Sequence, residues 1–469
     1  MSVNSATTSA MTSVVNPTQP KNQQVDLKTE VPGPRSRQLR VLEDTMLAPG
    51  AQGYALRAGI VVDHARGSAV TDIDGNTFLD FIGGIAVNAL GHSHPTFVEA
   101  VQSQVTRASA GTFGSHARVE LLQRVSRLTP APSITRTQLY SSGAEAVESA
   151  LRLAKSHTGK YEFVSFWGGF HGKTMGALSL MGSTFKHKIG PMVPGSHQAP
   201  YADCYRCPIG LEYPSCGVAC AELVRKQLKV TTAGAVAAFI IEPMQGTAGN
   251  IIPPKEFLPA IASIAKEHDA LLIADEMITG FGRTGSMWGV DHSGVTPDIV
   301  TIGKAFGGGF PLTGVLTTEA IAKAKPWSNE SGSSSSYGGN ALAAAAGAAS
   351  LRIIEDERLV QNSRDVGAEL LRDLLPFVER YPFVGLVTGT GMMLRVELVV
   401  DKQTREPLSR AVTGRLFDAL VQAGLMTMAY SPHFRIQPAL SLDARTAANG
   451  VQILRDVFDV MARENWIGQ

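Results

Sequence analysis

The stretch DIVTIGKAFGGGFP, Asp298 to Pro311, reads as a buried strand, then a lone lysine, then a run of glycines. Ile299, Val300 and Ile302 make the strand apolar without a clean alternation, as in a strand covered on both faces. Lysine is reluctant to be buried, so Lys304 taken alone reads as a surface residue capping the strand end. Its meaning depends on what the rest of the chain brings to the same place.

Working outward, TQLY, YEFVSFW, AVAAFIIEP, ALLIADE and PLTGVLTT are strands of the same kind. Between them lie helices such as SSGAEAVESALRLAKSHTG and EFLPAIASIAKEH. In the first, Val147, Ala150, Leu151 and Ala154 share a face, Ser142 with Glu145 reads as a capping box, and Gly159 is a stop. Apolar strands alternating with helices predict an α/β fold with a mostly parallel central sheet, whose ligands bind beyond the carboxyl ends of the strands. A long helix over 341–358 leaves this unit. Helices over 360–378 and 411–423, strands over 392–399 and 434–437, and a final helix then make a smaller α+β domain. The strand-like segment 69–81, with its DIDGN turn, is expected to pack with it from the N-terminal side. The expected division is a flexible tail over 1–38, an N-terminal part of the small domain over 39–90, a large domain over 91–350 and the C-terminal small domain over 351–469. There is no internal repeat, and SGSSSSYGGN is the only low-complexity patch in the body.

The 469 residues carry 42 basic and 41 acidic groups, a net charge of +1, which offers no global attraction to nucleic acid or an anionic membrane. With 44% hydrophobic and 18% charged residues the chain suits a soluble enzyme of small molecules. No stretch approaches the roughly 18 apolar residues of a membrane span. The polar N-terminus lacks a basic region followed by an apolar core, and its first arginine, Arg35, comes after Asp26 and Glu30. A cytoplasmic location is therefore expected. All four cysteines fall in CYRCPIGLEYPSCGVAC, as Cys204, Cys207, Cys216 and Cys220. C-x2-C followed by C-x3-C can in principle hold zinc, but the looser second spacing and a gap with two prolines and no histidine favour a compact loop of free or partly buried thiols. The second reading is preferred and no metal ligand is assigned.

Several strand ends carry polar groups: Asp275 and Glu276 after ALLIA, Glu242 and Gln245 after AAFII, Lys304 after DIVTIG. The turn Ser142-Gly143-Ala144 opens a helix, whose free N–H groups and dipole suit a phosphate. WGGFHGKT ends like a nucleotide-binding P-loop, but the motif needs glycine where Trp167 stands. The remaining set is a lysine, carboxylates and an anion-binding turn on one rim.

At this point the chain resembles the class III pyridoxal-phosphate-dependent aminotransferases, the group of the 4-aminobutyrate, ornithine and acetylornithine enzymes. The resemblance runs from about Leu42 to the C-terminus. It is carried by DGNTFLDFIGGIAVNALGHSHP, YSSGAEAVESALRLAK, FWGGFHGKTMGALSL, IIEPMQG, LLIADEMITGFGRTG, DIVTIGKAFGGGFPLTGV, SYGGN and FRIQPAL, in that order. It implies fold type I and pyridoxal 5'-phosphate as cofactor. Lys304 would form the Schiff base and shuttle the substrate proton, and Asp275 would keep the pyridine nitrogen protonated. Ser142, Gly143 and Ala144 would cradle the phosphate, joined by Ser336 of a neighbouring subunit in a homodimer with its active site at the interface. Phe170 and Met277 would lie on the two ring faces, with His171 and Glu242 also at the cofactor. Arg435 matches the arginine that forks the substrate α-carboxylate, and Glu242 the acid that in some members pairs with it. Lys173 stands where the 4-aminobutyrate and ornithine enzymes place a second arginine, supplying charge without the planar fork. Ile278 replaces a frequent glutamine, and Ile85 belongs to the expected substrate-binding set.

The resemblance implies a transaminase moving nitrogen from an amino acid or ω-amine donor to an α-keto acid such as 2-oxoglutarate or pyruvate. An amino-acid racemase, an epimerase or a phospho-lyase on the same scaffold shares Lys304 and Asp275, and the residues do not separate these outcomes. A cofactor-binding regulator without chemistry is disfavoured by the intact lysine and aspartate.

Overall fold

A computed structural model describes residues 23–429 and 431–468. Its largest sheet has seven strands: β1 (Ile134–Tyr140), β2 (Glu162–Phe166), β3 (Ser196–Ala199), β4 (Val236–Ile241), β5 (Leu271–Asp275), β6 (Ile299–Ile302) and β7 (Thr313–Thr318). Their order is β1-β7-β6-β5-β4-β2-β3, and β7 alone runs antiparallel to its neighbours. Both faces are covered, as the unbroken apolar runs require. Ile240, Ile273, Ile299 and Val315 pack under the helix Gly143–Thr158, while the alternate residues Phe239, Leu272, Val300 and Leu316 enter the main core with Phe257 and Ile261.

The small-domain elements form two sheets. One is antiparallel: β8 (Val384–Thr390), β9 (Met393–Leu398) and β10 (His433–Ile436). The other joins Val62–Arg66, Ala69–Asp72 and Thr77–Asp80 to the two-residue strand Leu425–Met426, which lies parallel to Thr77–Asp80. The expected 69–81 hairpin therefore meets the C-terminal region through a strand too short to leave a pattern in the sequence.

Three expectations need correction. The tail assigned to 1–38 is folded from residue 23, and only residues 1–22 of it lie outside the described residues. Asp26 and Thr77 exchange two backbone bonds of 3.1 and 2.8 Å, and the helix Pro34–Asp44 begins in the same segment. That helix borrows its cap from the DIDGN turn: both Asp74 carboxylate oxygens accept from Arg35 N and Ser36 N at 2.8 Å. Polar residues that looked solvated are thus satisfied by distant backbone. The helix expected over 360–378 stops at Leu374, because Pro376 lacks an N–H, and a short turn Phe377–Arg380 follows. The capping box at Ser142 is displaced. Ser142 Oγ accepts from Glu145 N at 3.2 Å, but the Glu145 carboxylate reaches Ser141 N at 3.0 Å.

Candidate active site

The parallel strands β4, β5 and β6 are adjacent and end on one rim, which brings Glu242, Asp275 and Lys304 there together. β1 ends at Tyr140 directly opposite Thr313, the first residue of β7, so the Ser142 turn joins the same rim. Thr313 Oγ1 donates to the Ser142 carbonyl at 2.9 Å and ties the turn down.

Asp275 is buried and its two oxygens have separate partners. Oδ2 meets His171 Nδ1 at 2.7 Å; Oδ1 accepts from Thr301 Oγ1 at 3.0 Å and Met277 N at 3.2 Å. Burial pulls the His171 imidazole down, but the bond to Asp275 and the fields of Asp275 and Glu242 leave its pKa raised above the ordinary value. Burial pushes the Glu242 carboxyl up, with Asp275 adding to the push; His171 and the N–H groups of Gly246 and Phe170 oppose it. Those donors lie at 2.9 Å each. Arg435, at 7% exposure, donates through Nη1 to the Gly246 carbonyl at 3.2 Å. Glu242 and Arg435 thus both bond to the backbone of Gly246, the first to its N–H and the second to its carbonyl. Ile278 rests on the same glycine: a Cβ at Gly246 would lie 2.2 Å from Ile278 Cδ1.

Lys304 follows β6 in a left-handed backbone conformation, φ 48°, at the start of a short turn ending at Gly307. Burial lowers its pKa and favours the neutral amine, helped by Arg435 and Arg283, while Asp275 and Glu242 pull the other way. A buried amine whose neutral form is favoured is a better nucleophile and proton acceptor than a solvated ammonium.

Met277 leans across the rim. A Cβ on Gly143 would lie 3.4 Å from its sulfur, and one on Gly303 at 2.6 Å, so the space between these two glycines is already shared with Met277. Ala144 meets the next segment, since a Cβ on Gly172 would come 2.7 Å from Ala144 Cβ. Phe170 packs edge-on against Phe185, ring centroids 5.7 Å apart, and Lys173 holds its ammonium 4.9 Å over the Phe185 ring. Ile85 sits half-buried in a turn of four left-handed residues, Gly83 to Ala86, with φ between 55° and 63°. Gly83 is required there, because a Cβ would meet the Gln437 carbonyl at 2.6 Å, two residues beyond Arg435. Ala86 then closes a small apolar cluster with Met244, Ile278 and Met393. Ser336 is exposed and stands apart from this buried group. Among the described residues no three cysteine, histidine or acidic groups are arranged to hold a metal ion. Thr301 and Thr313 escaped the sequence reading; a threonine inside a strand carries no signal until its neighbour strand is known.

The family described as "Aminotransferase class-III" matches residues 51–458. The chain is a class-III aminotransferase. Among its relatives, the 5-aminovalerate aminotransferase DavT of Pseudomonas putida (strain KT2440) is 35% identical over 86% of this chain and 94% of that protein. A leucine/methionine racemase of Thermococcus litoralis is 31% identical over 86% of this chain and 91% of that protein. An amine transaminase from an uncultivated Pseudomonas species, solved with PLP bound, superposes with a TM-score of 0.82 at 32% identity, covering 88% of this chain and 97% of that one. The aminotransferase uses pyridoxal 5'-phosphate and has the fold type I architecture of these enzymes. Its own residues fit that group. The N–H groups of Gly143 and Ala144 at the start of the helix Gly143–Thr158 lack intrahelical acceptors, as a phosphate site needs, and the glycine at 143 keeps Met277 at contact distance. A buried carboxylate with one lone-pair site left and a lysine whose pKa burial lowers complete the set.

Proposed function

We propose that this aminotransferase takes nitrogen from an ω-amino acid or amine and delivers it to an α-keto acid, with Lys304 as its working base. The observation that carries this is the meeting of Lys304, biased toward its neutral amine, with the His171–Asp275 pair on one strand rim. Pyridoxal phosphate, when bound, supplies an aldehyde for the amino group and a ring that draws electrons from the substrate carbon. Lys304 Nζ holds the cofactor and then moves the proton of the substrate carbon. Asp275 holds a proton on the ring nitrogen, and His171 and Thr301 hold Asp275 in place. Ser142, Gly143 and Ala144 bind the phosphate, and Ser336 of a second copy completes that grip in a homodimer. Phe170 and Met277 flank the ring. Arg435 forks the carboxylate of the keto acid and of its amino product, with Glu242 nearby to offset its charge when an amine end enters. Lys173 and Ile85 shape the far end of the donor. We further assign the enzyme to the cytoplasm and retain the division into a large domain over 91–350 with flanking small-domain parts over 39–90 and 351–469.

The test is single-turnover absorption. Purified enzyme mixed with 5-aminovalerate, 4-aminobutyrate or a simple amine should lose the visible band of its lysine-bound cofactor and regain it on adding 2-oxoglutarate or pyruvate. The racemase relative supports a second reading, in which Lys304 returns the proton to the opposite face of an amino acid. Loss of optical activity without a change in the cofactor band would establish that reading and overturn transamination.

A further inference from the structure

The serine-rich patch SGSSSSYGGN, residues 331–340, ends a segment, 323–340, that contains no helix or strand. It is nonetheless fastened to the body of the protein. Tyr140, the last residue of β1, holds its hydroxyl 2.5 Å from Ser149 Oγ, 2.5 Å from Ser333 Oγ and 3.1 Å from the Ser333 carbonyl oxygen. Ser149 Oγ accepts from Trp327 Nε1 at 3.0 Å and lies 3.2 Å from Ser333 Oγ. All four of these side chains are buried. Gln138 Nε2 donates to the Ser333 carbonyl at 3.1 Å, and Arg152 Nη1 donates to the Gly332 carbonyl at 2.9 Å.

The far end of the patch is fixed by close backbone approach. A Cβ on Gly338 would run into the Leu139 carbonyl, and one on Gly339 would lie 2.6 Å from Leu139 Cδ1, so these two glycines let the segment lie against β1. Gly338 N donates to Ser335 Oγ at 3.2 Å. Asn340 caps the helix Ala341–Asp356 by accepting from Ala343 N at 2.9 Å, and its amide donates to the Tyr337 carbonyl at 2.7 Å. Between these fixed points Ser336 and Tyr337 stand exposed. A loop held at its base with its tip exposed is built to present that tip.

We propose that Tyr140 and Ser149 are positioning residues that fix this loop in one chain so that its Ser336 meets the phosphate group held by a second copy. The proposal rests on the assignment of Ser336 made above. Its physical basis is ordering before binding. A loop already fixed loses little freedom when Ser336 takes the phosphate, whereas an unanchored loop must be ordered at each binding event. The apparent affinity then falls by the fraction of time the loop is in place. Ser149 and Arg152 belong to the helix Gly143–Thr158, and Tyr140 stands just before the Ser142 turn. The elements that bind one chain's own phosphate therefore also hold the loop lent to its partner, and the two sites of a dimer share one support.

Full-length enzyme freed of cofactor is titrated with pyridoxal 5'-phosphate and, separately, with pyridoxal, which lacks the phosphate. Tyr140→Phe should weaken pyridoxal phosphate about tenfold, the worth of one buried hydrogen bond, and leave pyridoxal unchanged. Ser149→Ala should do the same, and it decides if Tyr140→Phe fails to fold. Equal losses for both probes, or no loss, overturn the proposal. Ser336→Ala separates the proposal from the assignment beneath it. Unchanged phosphate affinity in Ser336→Ala removes that assignment and the proposal with it; weakened binding there, with wild-type binding in Tyr140→Phe, overturns the proposal alone. In the double variant the two losses should not add, and additive losses would place the action of Tyr140 elsewhere than Ser336. Mixed dimers give the direction. A wild-type chain paired with a Lys304→Ala chain has one lysine to form the visible band. Adding Tyr140→Phe to the Lys304→Ala chain should weaken retention of that band on dialysis, and adding it to the other chain should not. The reverse pattern, or a monomeric holoenzyme, overturns the proposal.

Discussion

At Lys304 two opposing pulls meet. Burial and the Arg435 and Arg283 charges favour the neutral amine, and Asp275 and Glu242 favour the ammonium; burial is the largest and the pKa falls. Lys304→Ala should abolish the visible band of the lysine-bound cofactor and cost about 10²–10⁴-fold in kcat, as loss of a positioned proton carrier does. An unchanged spectrum would remove Lys304 from its assigned role. The His171–Asp275 pair makes a different prediction. Because Asp275 raises the His171 pKa, the imidazolium's bond stabilises the fold below the ordinary histidine value, and that contribution is lost as pH rises through the raised one. Asp275→Asn should therefore lower the His171 midpoint followed by NMR, along with kcat. Arg435→Lys keeps the charge but loses the fork, so KM for the keto acid should rise by ten- to a hundredfold, about 1.5–3 kcal/mol, with a smaller change in kcat. Lys304 and Asp275 were legible in the sequence because each ends an apolar strand within a distinctive motif. The bonds of Asp275 to His171 and Thr301 were not, since they join segments far apart in the chain.

Among the elements, the turn after β5 depends on a buried acid. Glu276 is fully buried and accepts from Gly289 N and Val290 N at 2.9 Å, with Thr279 donating as well. Burial nonetheless raises its pKa from 4.5 to about 7. An acid with a raised pKa is most favourable to the fold when protonated, so its contribution declines as pH rises from 4.5 to about 7 and is flat beyond. Glu276→Gln lacks this titration. The melting temperature of wild type relative to the variant should therefore fall across that window; a constant difference would refute the argument. The strands and the helix Gly143–Thr158 followed their sequence patterns closely, ending at Gly159 with φ 70°. The stop at Pro376 and the strand Leu425–Met426 did not, the first because an apolar periodicity continues past the proline, the second because two residues have no period.

At the scale of the whole molecule, the N-terminal hairpin segment and the final helix Ala444–Arg463 come into tight contact. A Cβ on Gly450 would lie 2.1 Å from Phe81 Cζ, and both residues are buried. Gly450→Val should destabilise the fold by about 1–3 kcal/mol, read as a lower thermal midpoint, while leaving the cofactor band intact. The sequence by itself determined the class of fold, the family, and which residues stand at strand ends, because hydrophobic period and local motif are properties of neighbouring residues. Only the tertiary structure decided that residues 23–38 are folded, that Gly246 lies between Glu242 and Arg435, and that Asp275 is held by a histidine and a threonine. Those facts depend on strand order and register, which bring together groups that no local pattern relates.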